Sequence, residues 1–386
     1  MEENFPRTKK RFSLYVFFLR AAGVPIFMKR KWKAYIAYEI ILYSCSVALL
    51  ITSWLRVVNE RDNIREMMAT MRIAAGMLVI VPFNFCVRFQ LKKFENVIEM
   101  TEGFTWEEMP FKDPIMGTLT SAGMLPLIWK IIKYGFMTMG YGHLIQSFYR
   151  IIVNHELMFR TWCPIDCHAS IVFEVTNISH IMTSILAACS FFGYMGIYCS
   201  LVAIGCSQFD KLKMNMLSIY HTEQYNSNMD YHLQACVRHH QQIFQFIREM
   251  ENVFTIGMCL TLLVLMTSTC IAAFSAVISR GEVEDVVQII MLYVAWMTSI
   301  CVICWTANEL SDKAESVKNA AYEGEWIGTS ISFQRSVLLI ITRSNKIFNL
   351  TAGKFVLVNN ETMMNILNET LSLFMFLLNM KDKTVE

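Results

Sequence analysis

The sequence is short of charge. Only 17% of its 386 residues are Asp, Glu, Lys or Arg, where soluble domains run near about 25%. Neither sign dominates: the net charge is +2, no basic stripe stands out, and nucleic acid is excluded as a partner. There is no phosphate-cradling glycine loop, no HExxH helix and no nucleophile elbow, so no cofactor, metal or enzymatic role is expected. A disulfide framework is missing too. The 12 cysteines are scattered, and most sit inside apolar runs (Cys45, Cys86, Cys189, Cys199, Cys259, Cys270, Cys301, Cys304), where Cys behaves as a small buried apolar residue. The first apolar patch, Phe12–Leu19, is too short and too tightly flanked by Arg11 and Arg20 to be a cleavable signal peptide.

What fills the chain instead is apolar surface, with 54% hydrophobic and 13% aromatic residues. Spans long enough for a bilayer are expected at 34–57, 68–90, 122–148, 172–206, 253–279, 284–310 and 353–380. The fold class is therefore an all-α membrane protein with seven transmembrane helices. Lys and Arg orient it: 22 fall in segments on the N-terminal side of the membrane and 8 on the other. That bias gives a cytoplasmic N-terminus and an extracellular C-terminus, the reverse of a G-protein-coupled receptor. Residues 1–33 form a basic, partly amphipathic segment, either a short helix on the cytoplasmic membrane face in contact with lipid or a disordered tail. The fifth helix is expected to begin within the 207–250 connection. The sixth continues into a charged helical stretch in water.

The last span, 353–380, is unusual. Glu361, Asn365, Asn368, Glu369, Ser372 and Asn379 fall within about one 100° arc of a helix. Polar side chains are expensive against lipid, so this stripe faces either a packed helix seam or a pore. Phe376 lies in the arc and Met380 at its edge, where an apolar ring would narrow a water path.

Other features point less far. His239 and His240 are adjacent, face different sides of a helix and suit packing rather than metal ligation. In Trp162-Cys163-Pro164-Ile165-Asp166-Cys167-His168 the spacing is wrong for zinc, and two free thiols are expected ahead of the alternative, a Cys163–Cys167 disulfide. Of four sequons, Asn177 is the credible glycosylation site. Aromatic and Met residues crowd the outer halves of the spans: Phe83 and Phe85; Met137, Met139 and Tyr141; Phe191, Phe192, Tyr194 and Tyr198; Tyr293 and Trp296. They suit either interhelical packing or a pocket that binds a small apolar molecule by shape.

Five stretches in order make the chain resemble the insect odorant receptors: WCPIDCHASIVFEV (Trp162–Val175), CVRHHQQIFQFIREMENVF (Cys236–Phe254), AAYEGEW (Ala320–Trp326), QRSVLLIITRS (Gln334–Ser344) and LTAGKF (Leu350–Phe355). The resemblance spans essentially the whole chain. It implies a ligand-gated cation channel, tetrameric, with the last helices lining a central pore and Phe376 and Met380 at the gate beside Asn379, Ser372 and Glu369. It implies a volatile odorant bound in the outer half of helices two, three, four and six, with Phe83, Phe85, Met137, Tyr141, Phe192, Tyr194, Tyr293 and Trp296 as candidates. The short 207–250 connection implies a ligand-tuning subunit that assembles with the common co-receptor in a heterotetramer, at the plasma membrane of olfactory sensory neurons. On this division 34–310 is the ligand-binding bundle, 311–352 a cytoplasmic anchor for assembly, and 353–386 the pore helix with a short external tail. One stretch departs from the family pattern T-S-Y-S-Y-F-T-x-L: Asn368-Glu369-Thr370-Leu371-Ser372-Leu373-Phe374 loses two aromatics and gains a carboxylate, which bears on ion selectivity. A gustatory receptor of the same superfamily is the nearest alternative, and a G-protein-coupled chemoreceptor the alternative from another class.

Overall fold

A computed structural model describes residues 7–28, 32–104, 147–153, 155–163, 170–220, 227–278, 283–345 and 348–385, with scattered positions between 117 and 145. Its helices are α1 (Arg7–Ala21), α2 (Lys33–Asn59), α3 (Ile64–Leu78), α4 (Ile80–Phe89), α5 (Leu91–Met100), α6 (Ser170–Tyr220), α7 (Ser227–Ile278), α8 (Val283–Glu323), α9 (Ile331–Ser344) and α10 (Asn360–Val385). A two-stranded antiparallel hairpin, β1 (Thr351–Ala352) and β2 (Val356–Leu357), precedes α10.

Five stretches among the described residues are long and apolar enough to cross a bilayer: Lys33–Asn59, Ile64–Phe89, Ile171–Ile219, Met229–Ala276 and Val286–Glu323. Those correspond to the expected first, second, fourth, fifth and sixth spans. Most of the third, 122–148, lies outside the described residues. The second is interrupted at Val79, between α3 and α4. Pro82 explains the break, because a ring nitrogen cannot donate to the carbonyl of Leu78 one turn back. Helices α6, α7 and α8 are single rods of 51, 52 and 41 residues. At 1.5 Å per residue each exceeds a hydrocarbon thickness of about 30 Å, so all three project well beyond the bilayer. In those projections Lys313 Nζ of α8 meets Asp210 Oδ1 of α6 at 3.0 Å.

Among the described residues, the N-terminal segment is not a loose tail. Phe12, Tyr15, Val16 and Leu19 form a buried stripe along α1. That stripe seats on α6 at Gly193 and Gly196, where a Cβ would collide with Leu19 and Tyr15. The final carbonyls of α1, which have no helical partner, accept from α2: the hydroxyls of Tyr35, Tyr38 and Tyr43 donate to Arg20 O, Ala21 O and Ala22 O. Packing and capping both pin the segment to the bundle.

The last helix begins seven residues later than the sequence pattern suggests. Gly353 and Lys354 both take positive φ, +67°, and turn the chain back on itself as the hairpin. Gly353 N donates to Thr255 O at 2.8 Å and Lys354 N to Thr255 Oγ1 at 3.1 Å, which ties the hairpin to α7. Helix α10 then starts at an Asn cap, where Thr362 N donates to Asn359 Oδ1 at 2.8 Å.

Candidate functional site

Helices α3, α6 and α8, with Phe159 from the loop before α6, line a half-open cavity of about 290 Å³. Its walls are chiefly apolar: Ile73, Met77, Phe159, Phe191, Phe192, Met291, Leu292 and Trp296. Small residues on α3 and α6, Gly76, Ala187 and Ala188, leave the space that larger ones would fill. Beside Gly76 the Trp296 ring leaves just enough room for a methyl, with Cζ2 3.4 Å from an added Cβ. A cavity this size suits a molecule smaller than a drug, held by shape and aromatic contact with few polar anchors. The polar groups on its wall are Arg72, Ser184, Gln288 and Ser299.

Of the aromatic residues singled out from sequence, Phe191, Phe192 and Trp296 line this cavity, the last two being among the ligand-site candidates. Phe83 and Tyr194 do not, but stand one layer behind. The Phe83 ring packs on Phe191 at 5.5 Å and on Tyr194 at 4.7 Å, and Tyr194 continues to Phe254 at 5.2 Å. Tyr293 is half-buried and packs against the core outside the lining. Phe85 is 58% exposed and stacks on Phe89 along the outer face of α4, turned away from the cavity. Met137 and Tyr141 lie outside the described residues. Sequence reasoning missed Arg72, although a lone arginine in an apolar span is itself a functional signal.

The stripe on α10 is not covered by its own subunit. Glu361, Asn365, Asn368, Glu369, Ser372 and Asn379 are all exposed, and Phe376 is 58% exposed. The side chain of Met380 lies outside the described set. Thr370, on the opposite side, is buried. Among the described residues, therefore, this stripe makes no seam with another helix of the same chain, and Met364, Leu371, Leu373 and Met375 of α10 are exposed as well. The nearest link between α10 and the cavity is α8, which contributes lining from Gln288 to Ser299 and offers Asn308 Oδ1 to Asn360 N at 3.5 Å.

Two expectations outside the cavity are overturned. Asn177 is only 5% exposed and its Oδ1 accepts from Met158 N at 2.9 Å, so its amide braces the loop before α6 and is closed to a glycan. Cys163 is disulfide-bonded, not a free thiol. The paired histidines are packed: His239 shares a hydrogen bond with Gln208 Oε1 at 2.9 Å, and the ring of His240 stands edge-on to Phe244 at 4.8 Å. A second recess, of about 690 Å³, is lined by Phe244, Leu338 and Leu339 together with Arg248, Arg335 and Arg343, and none of the ligand residues expected from sequence reaches it.

Comparison with known proteins gives one consistent answer. The family model described as 7tm odorant receptor matches residues 63–371. Odorant receptor 10 of Aedes albopictus is 20% identical over 79% of this chain and 83% of its own. Odorant receptor Or2 of Anopheles gambiae is 21% identical over the same shares, 79% and 83%. Odorant receptor 85b of Drosophila melanogaster is 26% identical but matches only 36% of each chain. The solved structure of the olfactory receptor OR5 of Machilis hrabei in complex with eugenol superposes with a TM-score of 0.76 at 15% identity, covering 96% of this chain and 98% of that one.

Proposed function

Since the chain belongs to the odorant receptor family, a multi-pass membrane receptor class and not an enzyme class, we propose that it is the odorant-sensing subunit of a heteromeric, ligand-gated, non-selective cation channel. On this reading the N-terminus is cytoplasmic, the ligand is a small volatile molecule, and the partner is the family's common co-receptor in a heterotetramer. The site of action is the plasma membrane of olfactory sensory neurons. The observation that carries the reading is the α10 stripe. Read as the seventh span, α10 presents Glu369, Ser372 and Asn379 outward from its own subunit and needs water or another subunit against that face, because hydrocarbon would leave those groups unsatisfied.

The cavity and the stripe are joined by α8. A ligand among Phe191, Phe192 and Trp296 would favour whichever arrangement of α3, α6 and α8 binds it better, and it can shift the balance only by that difference. Because α8 also contacts α10 at Asn308, a displacement of α8 would reach the Phe376 and Met380 constriction. The Machilis OR5 structure was solved with eugenol, a small aromatic molecule, which is the size class this cavity fits.

Phe376→Ser tests the gate. Replacing the apolar ring by a hydroxyl should raise ligand-independent current in cells that also express the co-receptor. Currents unchanged in amplitude and permeation, from channels shown to be at the surface, would remove Phe376 from the pore.

A further inference from the structure

Glu369 lies midway along α10, and its side chain is exposed. Its own helix gives it no counter-charge, since no Lys, Arg or His occurs from Asn360 to Met380. Among the described residues it makes no ion pair or hydrogen bond. At about 100° per residue, Asn365, Ser372 and Phe376 fall within about 60° of it around the helix. Exposed apolar residues border this band, Met364, Leu371 and Met375 on one flank and Leu373 on the other. Phe376 lies two turns further on, about 10 Å along the axis and about 20° around it.

From this we infer that Glu369 sets a fixed negative charge in the permeation path, two turns inside the Phe376 constriction, and biases permeation toward divalent cations. The inference rests on reading α10 as the pore-lining span, and it refines the non-selective behaviour proposed above. A carboxylate without a partner in its own subunit has three possible surroundings. Hydrocarbon would leave it unsatisfied, which is why ionisable groups within spans face water or protein. A basic group of a neighbouring subunit would cancel its charge. Water leaves the charge in place to act on ions. The apolar borders favour water, because they can pack against protein or lipid on both flanks while the polar band between them stays wet. The Asn365 amide and the Ser372 hydroxyl, one turn to either side, supply neutral oxygens that can replace part of a cation's hydration shell. Valence then decides the preference. At about 4 Å in water one carboxylate concentrates a monovalent cation about fivefold and a divalent cation by about the square of that. The divalent-to-monovalent permeability ratio therefore rises by up to about fivefold per copy of this chain, less whatever salt screens.

The test measures reversal potentials of ligand-evoked current, with Ca²⁺ outside and Na⁺ inside, in cells expressing this chain and the co-receptor. Native and Glu369→Asp channels should pass Ca²⁺ more readily than Na⁺. Glu369→Gln should lower the ratio about two- to fivefold. Glu369→Cys should lower it as much; a negatively charged, membrane-impermeant methanethiosulfonate should then restore the ratio, and a positively charged one should reduce the current. The native channel treated with both reagents controls for its other cysteines. A Glu369→Gln ratio equal to the native one takes Glu369 out of the permeation path and overturns the inference, while the ligand-evoked current leaves the channel reading standing. If the neutral variants fail to reach the surface where Glu369→Asp succeeds, the carboxylate is an ion pair between subunits and the inference falls. Should all three variants fail, the native ratio decides, and equal permeability or a preference for Na⁺ overturns it. Native chains at the surface without ligand-evoked current would remove the channel reading itself, and this inference with it.

Discussion

Gly196→Ala should change the sign of its effect depending on one residue 181 positions earlier in the chain. In isolation the substitution is favourable, since alanine is about 1 kcal/mol better than glycine in a helix interior. At this position, however, the new methyl would overlap the ring of Tyr15 at Cγ, Cδ1 and Cε1, and that buried ring could clear it only by a χ1 change that takes it out of its packed seat. Overpacking of this kind costs about 1–3 kcal/mol, so the net effect should lie between neutral and about 2 kcal/mol destabilising. Gly205→Ala is the control. Its methyl meets only Leu310 Cδ1, at 2.9 Å, a terminal methyl that can rotate aside, so that variant should be neutral or stabilised. In a Tyr15→Ala background the obstacle is gone, and Gly196→Ala should then stabilise by about 1 kcal/mol. Thermal unfolding of the purified proteins in detergent reads the order of the four variants. Shifts of about 2 °C or less are expected for a chain this large, so the sign is the readout. A Gly196→Ala protein that is more stable in both backgrounds would show that α1 is not seated on α6 as described.

Further outcomes follow from the same geometry. Trp296→Ala enlarges the cavity and should move the preference toward bulkier ligands, whereas Phe85→Ala, on the outer face of α4, should leave dose–response curves unchanged; the reverse pattern would misplace the pocket. Burial holds His239 and His240 down to about 4, with Lys211 beside the first and Arg343 beside the second acting in the same direction. Their folded values lie below the unfolded value of about 6.5, so the unfolded chain takes up protons first. Stability should be full above about pH 6.5 and fall as pH drops toward about 4; a His239→Gln/His240→Gln protein with the same acid slope would contradict this. Endoglycosidase should leave electrophoretic mobility unaltered, since the Asn177 amide is buried; a shift would mean that the Asn177–Met158 bond does not form.

How much of this was readable beforehand differs from element to element, for physical reasons. The rods α6, α7 and α8 were visible because apolar runs pass into helical periodicity without a breaker, and nothing nonlocal competes with that signal. The hairpin at Thr351–Leu357 was not, because a lone Gly353 is also tolerated in a helix. What turns the chain there is a pair of bonds to Thr255, about a hundred residues away. The Asn359 cap was nevertheless in the sequence as Asn-x-x-Thr and could have placed the start of α10. Amphipathicity exposed the apolar stripe of α1 but could not identify the glycines that cover it. Asn177 fits the same pattern: a sequon records a chemical possibility, while its burial depends on Met158. For the cavity, the sequence offered many aromatics on the right helices. Rotation of α6 about its own axis separates Phe192, which lines it, from Tyr194, which does not, and Phe85 belongs to α4, outside the lining helices.

The central claim is that this chain tunes a channel and does not signal through a G protein. Whole-cell current decides it most directly, recorded from cells expressing this chain alone, the co-receptor alone, and both, against a panel of volatile compounds with G-protein signalling blocked. The account predicts rapid cation current evoked by a ligand only when both chains are present, and undiminished by the block. Current abolished by the block, with both chains at the surface, would contradict it.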